Sequence, residues 1–562
     1  MSADSAVLSA PIEVPHLQRR RLTTRWVLAA VFVTFLIALP VASVFYLAVS
    51  PDENIWPHLV NTVLPVYVAN TLLLLGGVGL LTFLIGVPTA WVVSTCEFPG
   101  RRIMEWALLL PFAFPAYVIA YVYTYMLDYA GPVQIALREL FQWQRPTDYA
   151  FPEIRSMGGA IIMLSLVLYP YVYLLARAAF LEQSPSLFAV SRSLGRSAYK
   201  TFLTVVLPIA RPAIAVGLSL VLMEALNDFG TVDFFAVRSL TAGLFDTWLN
   251  LSNIGGAAQI AVTMLAFVVL LVTLERYSRR RQEQYGSRDH GQQLHRFELS
   301  GRRKFLCVLL CLTPVLLGFL LPASVLVTFA WQYFEQSWNI EFFRYSLNSL
   351  MLAAFAAIST LSVGLLLAYS RRLQDTRLMR TLIRFSSLGY AMPGAVIAVG
   401  VIIPLAAFDN WLDLRMEQWF DVRTGLLLSG TVFAMVYAYT VRFLVVATGS
   451  LETGLQRITP SMDMASRSLG FTPGQTLWRV HLPMLRTSLI TAALVVFVDT
   501  MKELPATLIL RPFNFETLAT HVYQLASDER LEQSALSALF IVLAGIVPVI
   551  VLSRNLTRQA KT

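Results

Sequence analysis

The chain has 562 residues, 56% of them hydrophobic and 14% charged, with a formal net charge of +9. A soluble domain of this size needs far more surface charge, so the composition excludes an ordinary soluble protein and points to a polytopic membrane protein in a lipid bilayer. Lys and Arg gathered in loops on one side of a membrane account for the positive balance, so nucleic acid is not an expected partner.

The basic start HLQRRRLTTR precedes an apolar run from Trp26 to Ser50. That run is too long for a signal-peptide core and reads as a first span with the N-terminus inside. Further spans are expected at roughly 69–95, 103–128, 158–182, 211–236 and 257–276, each near the length that crosses a bilayer as a helix. A polar, basic stretch (277–303) follows and reads as a cytoplasmic linker. Six more spans are expected at roughly 304–332, 347–370, 381–407, 424–448, 486–510 and 534–553. The fold class is therefore all-α and polytopic, with about twelve transmembrane helices in two six-helix halves, 1–276 and 304–562. Inside loops collect most of the 43 Lys and Arg, including Arg101, Arg102, Arg371 and Arg372, which puts both termini on the inner face. Each half has an even number of spans, so the repeat is parallel, with a pseudo-two-fold axis along the membrane normal.

Cys96, Cys307 and Cys311 lie in or beside apolar segments. Cys307 and Cys311 are four apart on one helix, but no His or carboxylate joins them. They read as small packing residues, and no metal site is expected.

One polar word occurs twice. Ser191-Arg192-Ser193-Leu194-Gly195 returns, 275 residues later, as Ser466-Arg467-Ser468-Leu469-Gly470. At the same offset Ser184-Pro185-Ser186 matches Thr459-Pro460-Ser461, and Leu207-Pro208 matches Leu482-Pro483. Flanking matches at one offset indicate internal duplication. Ser184 or Thr459 suits a helix N-cap, with Pro at the first helical position. Gly195 or Gly470 suits the left-handed residue that ends a helix. A second helix is expected from Ser197 or Thr472 to the Leu-Pro pair. The short amphipathic first helix either rests on headgroups or fills a protein groove; Ser and Ala on its apolar face favour the groove.

The pattern Ala-Ser-Arg-Ser-Leu-Gly, nine residues, then Val-His-Leu-Pro resembles the EAA loop of ABC importer permeases. The resemblance implies a type I importer fold with loops 184–208 and 459–483 docking two copies of a cytoplasmic ATPase. The family's Glu is absent, with Ala189 and Met464 in its place. ALNDFGTVDFF from Ala225 and KELPATLILRP from Lys502 resemble segments of fused, two-domain ferric-iron permeases. Permeases for thiamine, polyamines, sulfate and phosphonates are similar. The resemblance also implies a bacterial inner-membrane location and an extracytoplasmic substrate-binding protein. An ion-gradient-driven secondary transporter is the alternative class.

The chain has no nucleotide site of its own, since GRSAYKT lacks the second Gly and spacing of a phosphate loop. It is therefore not expected to be an enzyme or to carry catalytic residues or a cofactor; ATP and Mg belong on the partner ATPase. Glu224 and Asp228, four apart, are expected on one helix face. Their 275-offset equivalents are Asp499 and Glu503. Intramembrane carboxylates are candidate pathway residues. The other reading pairs Asp499 with Lys502 and leaves the rest wetted at the outer mouth.

Overall fold

The computed structural model describes residues 16–183, 190–191, 193–279, 297–386, 389 and 392–559. Arg192, most of the first repeated loop ahead of it, and linker residues 280–296 lie outside the described residues. Among the described residues, eleven helices are long and apolar enough to cross a membrane. A bent pair, Arg101–Ala113 with Ala116–Phe141, makes a twelfth.

Several spans differ from the expected ones. The third is bent by 90°. Phe114 precedes Pro115 and is forced extended (φ −81°, ψ 135°), which ends the helix. The tenth runs Val432–Gln456, later than expected, because the apolar LLLSG ahead of it is a loop. Asp409 accepts the N–H groups of Leu428 and Ser429, and Asp413 those of Thr424 and Gly425. The fifth and eleventh begin and end earlier than expected, at Tyr199–Asn227 and Pro473–Met501.

These two helices do not stop at the Leu-Pro pairs. Proline has no N–H, and its ring crowds the carbonyl four residues back. Each helix loosens just ahead of it into a π-helical turn, Phe202–Val206 or Leu477–His481, and continues. The residue before the proline donates to the carbonyl five back: Leu207 to Phe202 and Leu482 to Leu477. Leu316–Leu320 does the same ahead of Leu321-Pro322.

The helix bounds repeat at the 275 offset, as in Met157–Leu181 against Val432–Gln456. The first span nevertheless crosses over. His16–Val49 packs on Gly394–Phe420, Arg377–Ser386 and Ile340–Leu373 of the second half as well as on Ile254–Arg279. The Tyr437 hydroxyl donates to the Leu36 carbonyl, and the Trp26 and Tyr369 rings meet edge-on with centroids 5.1 Å apart. Reciprocally, Leu321–Gln332 packs on Leu531–Gln559 and Ala116–Leu127, and Tyr123 donates to the Leu317 carbonyl at 2.7 Å. One continuous apolar core runs through both halves. Cys96-Glu97 pairs in parallel with Phe297-Glu298.

The first span lies close against the second half at Gly400, where a Cβ would strike the Pro40 carbonyl. Gly400→Ala should destabilise the protein by about 1–3 kcal/mol in thermal unfolding. Gly76→Ala, in open space on an exposed helix face, should be neutral or slightly stabilising.

Candidate functional site

The fifth span of each half breaks where the chemistry gathers. The helix Leu207–Asn227 ends as Asp228 turns extended (ψ 125°). Glu224 and Asp228 therefore do not share a helix face; Asp228 instead accepts the N–H groups of Thr231 (2.9 Å) and Val232 (3.3 Å), capping the short helix Gly230–Phe234. The helix Leu482–Met501 stops ahead of Pro505 in the same way. Glu503 accepts the N–H of Ala506 at 3.1 Å. Asp228 with Thr231 and Glu503 with Ala506 are the same interaction at the 275 offset. A carboxylate that accepts the loose N–H groups at a helix start satisfies donors that an apolar layer cannot.

The two breaks face each other between the halves. A Cβ on Gly230 would strike the Tyr117 ring and Leu504, so glycine permits this approach. Asn227 accepts across the interface from the Gly394 N–H (2.5 Å) and from Arg442 (3.4 Å). Arg442 Nη1 lies 2.8 Å from Glu503 Oε1, with both side chains nearly fully buried. A cavity of about 100 Å³ lies here, lined by Glu224, Asp228, Asp499 and Glu503 together with Arg442 and Lys502. Phe112, Tyr117 and Phe443 are among its aromatic walls.

The structure thus brings the four candidate carboxylates to one cavity, in unequal states. Asp499 lies 3.1 Å from Lys502 Nζ, the pairing weighed as the alternative in the sequence. Glu503 is paired with Arg442, and Asp228 caps a helix. The Glu224 side chain forms no hydrogen bond or salt bridge with a described residue, although its carbonyl accepts from the Asp228 N–H. Asp233 lies outside the cavity and accepts from the Tyr523 hydroxyl at 2.7 Å. Arg442, Asn227 and Tyr117 are absent from the sequence reading. Arg442 had a signal, as a lone cation in an apolar run; the other two had none. The Tyr117 hydroxyl is buried without a hydrogen-bond partner among the described residues. No group of three or more His, Cys, Asp or Glu side chains could hold a metal ion among the described residues; Cys96 and Cys307 come within hydrogen-bonding reach of each other.

At the far end of the same helices lie the repeated loops. The helix Pro460–Ser468 ends with Gly470 at φ +81°; Phe471 N–H returns to the Ser466 carbonyl and Gly470 N–H to that of Arg467. This is a Schellman closure, and its glycine takes the left-handed conformation cheaply. The first loop repeats it, with Gly195 at φ +72° and Arg196 N–H bonded to the Ser191 carbonyl. Thr459 does not cap its helix; its hydroxyl bonds Ser461 instead. Thr472 does cap the next one, in a capping box with Gln475. Ser191 and Ser466 are buried, Ser466 against Thr476 at 2.7 Å. Ser193, Arg467 and Ser468 are exposed, and Leu194 and Leu469 are 71% and 74% exposed. The loops therefore present leucines outward rather than burying them with the serines. Arg372 ties the second loop down through Asp463 (2.8 Å), which also lies 2.7 Å from His481 Nε2.

The family described as binding-protein-dependent transport system inner membrane component matches the chain twice, at residues 83–284 and 360–561. The Fe(3+)-transport system permease protein FbpB 2 of Haemophilus influenzae is 24% identical over 493 residues, covering 86% of this chain and 89% of that protein. The ferric transport system permease protein FbpB of Actinobacillus pleuropneumoniae is 24% identical, covering 88% and 72%. The molybdenum transport system permease protein ModB of Escherichia coli is 27% identical, covering 35% of this chain and 86% of its own.

Arg442→Met leaves Glu503 buried without its cation and should cost about 3–5 kcal/mol in thermal unfolding. Adding Glu503→Gln should recover much of that loss, because the amide is uncharged and still accepts from Ala506.

Proposed function

The chain belongs to the binding-protein-dependent transport system inner membrane components, and we propose that it is the fused permease subunit of an ATP-driven importer for ferric iron. Its fold is that of a type I ABC permease, with the domain present twice. In this reading the halves 1–276 and 304–562 form one pathway, joined by linker 277–303, with both termini in the cytoplasm. The loops 184–208 and 459–483 dock two copies of an ATPase chain, which binds ATP and Mg, and an extracytoplasmic protein delivers the cargo. Exposed leucines beside a left-handed glycine, at the ends of helices that reach the cavity, support the docking role.

The observation that carries the substrate class is the charge of the cavity. Four carboxylates face two cationic side chains, each of which lies beside a carboxylate. A net negative, low-dielectric cavity attracts cations and repels oxyanions. The ferric relatives align with most of this chain, whereas the molybdenum relative aligns with about a third of it.

Two outcomes are expected in vesicles containing the permease, its ATPase and its loaded binding protein. Glu224→Gln with Asp499→Asn should lower ferric uptake several-fold while ATPase assembly is unchanged, and Asp233→Asn should lower it less. Gly195→Asp with Gly470→Asp should lose uptake and co-purification of the ATPase with insertion intact, because the left-handed bend strains any β-carbon. Molybdate or sulfate uptake in place of iron would overturn the substrate assignment.

A further inference from the structure

The two cations of the cavity differ in how they are held. Arg442 is nearly fully buried, donates to Glu503, and reaches Asn227 of the opposite half. Lys502 sits at the break itself, as the residue closing the helix Leu482–Met501 (φ −100°, ψ 1°), with its side chain 20% exposed. Its ammonium lies 3.1 Å from Asp499 and 4.0 Å from the centroid of the Phe112 ring, so it holds one anionic and one aromatic contact inside the cavity. At the 275 offset the first half has Asn227, whose side chain is engaged across the interface, and Glu224, which has no salt bridge to a described residue. The duplication has thus placed a cation beside one of two equivalent carboxylates. The buried Tyr117 hydroxyl, without a hydrogen-bond partner among the described residues, adds an oxygen ligand to the cavity.

We propose that Lys502 is a tethered stand-in for the transported cation: its ammonium occupies the Asp499 position while the pathway is empty and yields it as a cargo cation arrives at Glu224. A lysine suits this exchange, because its ammonium rides on a flexible four-carbon stem and makes point contacts, whereas the guanidinium of Arg442 is fixed by planar hydrogen bonds. The stand-in keeps Asp499 from holding cargo too tightly. It returns to Asp499 as cargo leaves, which speeds release. No covalent step is involved. The proposal rests on the cation pathway argued above.

The test uses the full-length permease in detergent with terbium(III), a trivalent probe whose luminescence is sensitised by nearby aromatic rings. Lys502→Gln should bind terbium about tenfold more tightly than the native chain, because one positive charge is removed at close range in a low-dielectric site. Asp499→Asn combined with Lys502→Gln should return the affinity near native, and Lys502→Arg should stay near native. In vesicles with the ATPase and loaded binding protein, Lys502→Gln should take up iron several-fold more slowly at saturating cargo. Unchanged or weaker terbium binding in Lys502→Gln, while Glu224→Gln still weakens it, overturns the stand-in alone. If Glu224→Gln also leaves terbium binding unchanged, the cation pathway itself fails. Melting temperatures of all variants identify a folding defect. A Lys502 that is only a structural partner predicts a lower melting temperature and no gain in affinity.

Discussion

A helix that breaks within an apolar layer leaves backbone N–H groups without acceptors, and lipid supplies none. Asp228 and Glu503 answer that constraint. Each accepts the N–H of the residue three further on, so each break is tolerated because a side-chain oxygen stands at its start. The cavity follows from the breaks, because the chain turns aside there and the two halves meet at Gly230, Leu504, Asn227 and Gly394. The groups that make the interruption tolerable are therefore the same groups that charge the pathway. At these two positions one side chain carries both a structural and an electrostatic duty, whereas at Glu224 the carboxylate has no capping duty.

The repeat, the number of spans and the four carboxylates were legible because duplication preserves offsets, and an offset survives any error in span boundaries. The geometry around the carboxylates was less legible. The spacing of Glu224 and Asp228 reads as helical, and Asn-Asp-Phe-Gly announces its break weakly; Pro505 announces the second more clearly. The bend at Phe114-Pro115 carried a local signal, since the residue before proline avoids the helical region. In 425–431 hydrophobicity misled, because loop N–H groups held by Asp409 and Asp413 override an apolar run. The crossing of the first span onto the other half, and the meeting of Asn227 with Arg442, depend on contacts between residues hundreds of positions apart. No window of sequence contains them.

Duplication has also been followed by divergence. Arg442 stands where the first half has Val167, and Lys502 where it has Asn227. The second loop is fastened through Arg372, Asp463 and His481, and the first half has Val206 at the position of His481. The frame keeps its symmetry in the two Schellman closures and the two carboxylate caps, and loses it at Arg442, Lys502 and His481.

The continuous helices Tyr199–Asn227 and Pro473–Met501 join each repeated loop to its carboxylate break, a rod of about 43 Å at 1.5 Å per residue. Such a rod behaves as a crankshaft: its phase is fixed by a residue count. Each residue advances the helix by about 100°, so losing one from the α-helical segment after Pro208 would swing Glu224 about a quarter-turn relative to Gly195. Substitution along the rod is tolerable wherever the helix survives, but a change in length is not. The two halves have drifted widely in side chains while keeping the same number of residues between glycine and carboxylate, as two cranks on one shaft must.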